Sequence, residues 1–290
     1  MSEQHTDKQG AHDYQWQQDV LTKLVFASLT EQRRTRRWNI FFKGLFAAYL
    51  FLLLIIMWFP GGDTGKVTTG KHTALIEIDG VIASNGDVSA DRVVTGLRNA
   101  FKDKDTQGII LRINSPGGSP VQAGYINDEI TRLRKLHPEI KVYAVIADIC
   151  ASGGYYIAAA ADAIYADKAS LVGSIGVVMN SFGFVEAIDK LGVERRLYTA
   201  GENKGFLDPF SPERKEEVAH VKGMLSQIHQ QFIDVVKQGR GDKLKDSDKL
   251  FSGLIWTGEE SVKLGLVDEL GSSSYVAREI IKAENIVDFT

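Results

Sequence analysis

Two short stretches set small residues where a strand would turn into a helix: "NSPGGSP" at residues 114–120 and "ASGGYY" at residues 151–156. Glycine pairs at such places let backbone N–H groups come close to a ligand, because no Cβ stands in the way. Ser152 carries the one aliphatic hydroxyl in the otherwise apolar run "ICASGGYYIA". At a helix N-terminus, free N–H groups and the helix dipole favour the negative charge that grows on a carbonyl under attack. The residue types therefore suit a nucleophilic serine beside an oxyanion hole, with the amides of Gly118 and Gly153 as its natural donors. Taken singly, Ser152 also reads as a helix cap and the "SPGG" glycines as a tight turn.

A serine hydroxyl is a poor nucleophile until a base takes its proton. The six histidines are poor candidates: His5 and His12 lie near the N-terminus and His72 in a linker, while His137, His220 and His229 fall on predicted helices or their ends without an acidic partner pattern. A lysine can serve if burial lowers its pKa from about 10.4 toward the working pH, a shift of about 3 units or roughly 4 kcal/mol. Lys204, in "TAGENKGFLDPF", follows a predicted strand in a loop with glycine on both sides. The loop suits such a base, but spacing alone does not single Lys204 out among the lysines. No His/Asp/Glu cluster has ligand spacing, so neither metal nor cofactor is expected. Cys150 is the single cysteine, which excludes an intramolecular disulfide and reads as a small buried residue.

The elements that must position these residues alternate along the chain. Strands are predicted over residues 73–82, 108–114, 141–148, 162–167 and 195–200, each rich in β-branched or aromatic residues. Helices are predicted between them, one starting at a Ser89 cap with Val93, Val94 and Leu97 on one face, another carrying Ile126, Ile130 and Leu133. A long helix over 211–241 has Ser211 as its expected N-cap and Pro212 at its first position, with an apolar stripe from Val218 to Val235. Two more helices flank "GLVDELG". This rhythm predicts an α/β domain with a largely parallel sheet, whose active site gathers where strands end and helices begin.

Ahead of that domain, residues 38–59 read "WNIFFKGLFAAYLFLLLIIMWF", with Lys43 the one charge. A helix of this length spans roughly 33 Å, enough for a hydrocarbon core of about 30 Å. Arg33, Arg34, Arg36 and Arg37 precede it, whereas the stretch beyond offers only Lys66 and Lys71, so the positive-inside rule keeps the N-terminus in the cytosol. No small-x-small site marks its exit, which favours an uncleaved anchor over a signal peptide. The expected organisation is a cytosolic arm (1–37), a transmembrane anchor (38–59), a linker (60–72) and a catalytic domain outside the cytoplasmic membrane (73–290). Within the arm, Trp16, Val20 and Leu24 recur at helical spacing. A net charge of -3 gives no broad electrostatic footprint for nucleic acid.

The set "NSPGGS", "ASGGYYIAAAAD", "GSIGV" and "AGENKG" followed by "SPER", in this order, resembles the signal peptide peptidase A family, peptidase family S49, in its short single-repeat bacterial form. The resemblance runs from about Ile76 to Leu270. It implies a ClpP/crotonase-like fold of repeated β-β-α units and a serine peptidase with a Ser/Lys dyad. Ser152 would be the nucleophile, Lys204 the general base, Gly118 an oxyanion donor, and Ser174 the hydroxyl that orients the lysine amine. It also implies a homo-oligomer, an octameric dome-shaped ring in which Ser and Lys of one site come from neighbouring subunits. The implied substrates are hydrophobic peptides, such as signal peptides left after secretion, processed at the membrane lipid surface on the periplasmic side. Ser174 equally satisfies a plain turn in "VGSIGV". Two rival readings remain: a crotonase-like acyl-thioester enzyme, which also uses paired oxyanion amides, and a non-catalytic membrane scaffold of the same fold.

Overall fold

The computed structural model describes residues 34, 36–55, 70–247 and 249–290. The chain divides into two units, Met1–Val67 and Thr68–Thr290. In the first, helix α1 (Arg36–Ile55) is 20 residues long and apolar enough to cross a membrane. Its rise of 1.5 Å per residue gives it a length of about 30 Å. Trp38, Phe41 and Phe42 group their rings at its N-terminal end. The amphipathic stretch around Trp16, residues 56–59 of the expected span and residues 60–69 of the linker lie outside the described residues.

The second unit is built on one sheet. Strands β1 (His72–Asp79), β2 (Thr106–Ser115) and β3 (Lys141–Ala151) form its centre, with β8 (Ile286–Asp288) on the far side of β1. All of these pair in parallel. On its other edge β3 carries two strands in succession. Residues 143–146 pair with β4 (Ala163–Ala166), which in turn pairs with β7 (Glu269–Leu270). Residues 149–151 pair with β5 (Leu171–Gly173), and β6 (Ile255–Thr257) pairs antiparallel with β5, the one such pairing among the described residues. Helices α2 (Ala90–Lys102), α3 (Pro120–Leu136) and α4 (Gly153–Ala158) follow β1, β2 and β3, as parallel connections require.

Because the central strands are covered on both faces, they read as nearly continuous apolar runs. Ile76, Ile78, Ile109, Leu111, Ile113, Ala144 and Ile146 point into the main core with Leu97, Ile126, Ile130 and Leu133 from α2 and α3. Leu75, Ile110, Val145 and Tyr165 point the other way, against Val276 and Ala277. Each such fully buried aliphatic side chain contributes about 1.5–3 kcal/mol, so the strand ends inherit a rigid frame. The remaining helices are α5 (Val185–Lys190), α6 (Lys215–Arg240), α7 (Gly258–Leu264) and α8 (Ser273–Tyr275), the last continued by a π-helical turn.

Two expectations are corrected here. Residues 195–200 form no strand. None of the described strands pairs with this segment, and its arginines turn to Asp208 and Glu194. Nor does Ser211 cap the long helix. Its hydroxyl donates to Asp208 at 2.7 Å, a charge-assisted bond that outcompetes capping, and α6 begins four residues later behind Arg214. The apolar stripe of α6 buries Phe232 fully, while Val218, Val221 and Leu225 stay only partly covered.

Candidate active site

The split edge of β3 brings two serines together. Ala151 and Gly173 are register partners, so Ser152, just past β3, and Ser174, just past β5, follow neighbouring strand ends. The Ser152 N–H donates to the Gly173 carbonyl at 2.9 Å, and the Ser174 N–H to the Leu254 carbonyl at 2.7 Å. Both serines adopt left-handed backbone, with φ of 51° and 52°. For a non-glycine residue such backbone stores about 1–3 kcal/mol of strain, held by the surrounding structure. Here the anchors are Tyr155, fully buried with its hydroxyl donating to the Leu266 carbonyl at 2.8 Å, and Asn127, whose amide donates to the Tyr156 carbonyl at 2.8 Å.

The loop after β2 closes over Ser152. Ser115 donates its hydroxyl to the Gly80 carbonyl at 2.6 Å and accepts the Gly117 N–H at 3.1 Å. The Ile82 N–H donates to Gly117 and the Ser119 N–H donates back to Ile82, a parallel bridge in which the N–H of Gly118 faces away from residue 82. Gly118 has φ of 150°, and a Cβ there would strike the Ile82 carbonyl. A Cβ on Gly117 would stand 2.7 Å from the Ser152 Cβ and 2.8 Å from the Gly153 nitrogen; one on Gly153 would stand 3.3 Å from the Gly118 nitrogen. The amides of Gly118 and Gly153 are thus neighbours beside Ser152. Among the described residues neither N–H makes a backbone hydrogen bond. Two unspent donors flanking a hydroxyl can hold the oxygen of a carbonyl that the hydroxyl attacks.

Ser152, Gly118, Gly153 and Ser174 line one cavity of about 1050 Å³. Lys204 does not. It is exposed, on a turn over 201–207 whose backbone is tied to α6 where the Leu207 N–H donates to the buried Glu217 carboxylate at 3.2 Å. The fold therefore gathers four of the five expected residues within one chain and leaves Lys204 outside the cavity.

The cavity is also lined by Asp128 and Tyr156, which the sequence singles out for no role, and by His229, which it offers only as a base. The ring of His229 donates through Nε2 to the Ile175 carbonyl at 3.2 Å, bracing the loop that carries Ser174. The sequence sets His229 aside as a base because no acidic partner pattern surrounds it, a criterion blind to a structural role. Burial, and then the charge of Asp128, raise the Tyr156 phenol above the usual tyrosine range. Cys150 is buried two residues before Ser152, and burial pushes its thiol far up, so it is inert.

The family model described as peptidase family S49 matches residues 134–287, more than half of the chain and inclusive of Ser152, Ser174 and Lys204. The chain belongs to peptidase family S49. This is the family of signal peptide peptidase A that the glycine motifs resemble. Protease 4 of Haemophilus influenzae is 31% identical over 219 residues, 74% of this chain and 35% of that protein. The chloroplastic serine protease SPPA of Arabidopsis thaliana is 29% identical over 203 residues, 69% of this chain and 30% of that protein. A Brucella melitensis protein named Na(+)/H(+) antiporter NhaA is 52% identical over 175 residues, 60% of this chain. That stretch makes up 24% of the Brucella protein. The chain thus spans about a quarter of the antiporter-named relative and about a third of the other two.

Proposed function

We propose that this chain is a membrane-anchored serine endopeptidase that cleaves hydrophobic peptides, such as remnant signal peptides, outside the cytoplasmic membrane. The observation that carries the reading is the Ser152 hydroxyl beside the unspent amides of Gly118 and Gly153, in a member of a peptidase family. In this reading neutral Lys204 takes the Ser152 proton as Oγ attacks the scissile carbonyl. The two amides hold the oxyanion. The protonated lysine returns its proton to the leaving amine, and water, activated by the same amine, then hydrolyses the acyl-enzyme. Ser174 orients the amine. The family assignment favours this chemistry over the acyl-thioester and scaffold readings. We assign the cytosolic side to the N-terminus and the lipid bilayer to α1, whose length and composition fit a span.

The same reading makes the working unit a ring of copies of this chain on the ClpP/crotonase pattern, with Lys204 reaching Ser152 of a neighbour. Two features support it. Lys204 is exposed in the single chain, and the segment around it exposes large apolar side chains, among them Phe182, Leu191 and Tyr198 at 75%, 77% and 88%. A second chain seated there supplies the burial that a neutral amine needs.

The test uses detergent-solubilised protein and a fluorogenic hydrophobic peptide. Ser152→Ala and Lys204→Ala are each expected to lose activity by at least about 10³-fold. Mixed as equal amounts before assembly, they are expected to recover about a quarter of the parent rate, because a site drawing on two neighbours is then intact in that share of random pairs. Full activity in both single variants, with no labelling of Ser152 by a fluorophosphonate, refutes the dyad. Two dead variants whose mixture stays dead refute only the sharing.

A further inference from the structure

One face of α3 forms a wall of the Ser152 cavity. Val121, Gly124, Tyr125 and Asp128 all line it, at spacings of three and four residues that place them on a single helical stripe. The stripe starts beside Gly118, since α3 opens at Pro120 just behind the Ser119 cap. It reads apolar, bare, aromatic and then acidic. Gly124 leaves open space where a side chain would stand, so a ligand can lie close along the helix.

Among the described residues, Asp128 is the one carboxylate that lines this cavity, and no lysine or arginine lines it. Nor does Asp128 form an ion pair among the described residues. Arg132, one turn further on, spends both Nε and Nη2 on Glu129, and Glu129 also takes Arg98. His229 is the one ionisable nitrogen on the lining among the described residues, and its Nε2–H is given to the Ile175 carbonyl. Among the described residues, the carboxylate therefore meets the cavity without a cation of its own. Its field reaches the phenol of Tyr156, four residues past Ser152.

From these placements we infer that Asp128 is a specificity-determining residue, selecting peptides with a lysine or arginine about three or four residues from the scissile bond. The register follows from two rises. Asp128 lies eight residues into α3 from Pro120, about 12 Å along the axis at 1.5 Å per residue. An extended peptide covers about 3.3 Å per residue, so the same distance from the oxyanion amides takes between three and four residues. The apolar lining suits the remaining side chains, and the carboxylate adds one cationic requirement to an otherwise hydrophobic preference.

The inference rests on the peptidase reading, and its test separates the two. A set of hydrophobic fluorogenic peptides carries lysine, norleucine or glutamate at each position from four before to four after the cleaved bond. These are offered to the parent, Asp128→Asn and Asp128→Lys in the full-length, solubilised form. The parent is expected to favour lysine over norleucine about three- to tenfold in kcat/KM at a position three or four residues away, chiefly through KM, and less at high salt. Asp128→Asn is expected to level that ratio and Asp128→Lys to turn the preference toward glutamate. Equal lysine-to-norleucine ratios in all three proteins, or no lysine preference in the parent, overturn the inference while peptide cleavage stands. A parent that cleaves none of the peptides overturns the peptidase reading and this inference together.

Discussion

A single methyl group at Gly117 tests how closely the two glycine loops must meet. Gly117 has φ of 102°, and its Cβ would stand 2.7 Å from the Ser152 Cβ, 2.8 Å from the Gly153 nitrogen and 2.9 Å from the Ala151 carbonyl oxygen. Ordinary contact with these atoms needs about 3.4–3.8 Å, so the loop has to retreat from Ser152 by on the order of 1 Å. None of the three atoms is the end of a flexible side chain. The backbone strain adds about 1–2 kcal/mol to the cost. In the proposed mechanism a retreat of that size takes the neighbouring Gly118 amide out of reach of the oxyanion, and losing one such donor lowers kcat by about 10²–10³. Gly117→Ala is thus expected to remain folded by circular dichroism, with a melting temperature lower by several degrees, and to lose at least about 10²-fold in kcat. Fluorophosphonate labelling of Ser152 should slow in parallel, since that adduct uses the same amides. Parent-like kcat in a protein of parent-like stability would refute the geometry of the hole.

Two further outcomes concern stability. Arg240 is buried, donates to the Gly265 carbonyl at 3.0 Å and to Asp268 at 2.8 Å, and has one nitrogen, Nη2, with no hydrogen-bond partner among the described residues; Asp268→Asn leaves its charge uncompensated and is expected to cost about 3–5 kcal/mol by chemical denaturation, much of it restored in the double variant with Arg240→Met. A parent-like midpoint for Asp268→Asn alone would contradict this. The Glu129 carboxyl is held down to about 2 by hydrogen bonds to Arg132 first, against burial, with Arg98 adding to the effect. A folded-state value below the unfolded 4.5 means stability present above pH 4.5 and lost as the pH falls toward 2. Both arginines are about half exposed, at 53% and 50%, so the loss is expected to be only about 1 kcal/mol. It should vanish from the acid limb of the stability curve in Glu129→Gln, and an unchanged limb would sink the assignment.

Much of the frame was legible because its signals are local. Apolar runs marked β1, β2 and β3, and the glycine pairs marked the strand ends, where Ser152 does head α4 and Gly118 does border it. What escaped was non-local. That β3 serves β4 along one half and β5 along the other cannot be read from either strand, yet this split is what sets Ser174 beside Ser152. Residues 195–200 have strand composition, but pairing is a property of two segments, and no described strand lies beside this one. Ser211 carried a sound cap signal that a carboxylate three residues earlier in the chain diverted. Lys204 illustrates the limit most clearly. Its loop looked suitable by composition, whereas the desolvation that would make it a base depends on whatever covers a turn that is exposed in the single chain. Asp128 was hidden for the opposite reason, as an ordinary acidic residue on a helix until the cavity beside it came into view.

If Ser152 and Ser174 act as proposed, the left-handed backbone at these two places sets thermal endurance against chemistry. Glycine would sit at either place without torsional cost, so a laboratory search that rewards only heat resistance would drift toward glycine there. The hardiest descendants of this chain would then be the ones that had shed the hydroxyl at 152.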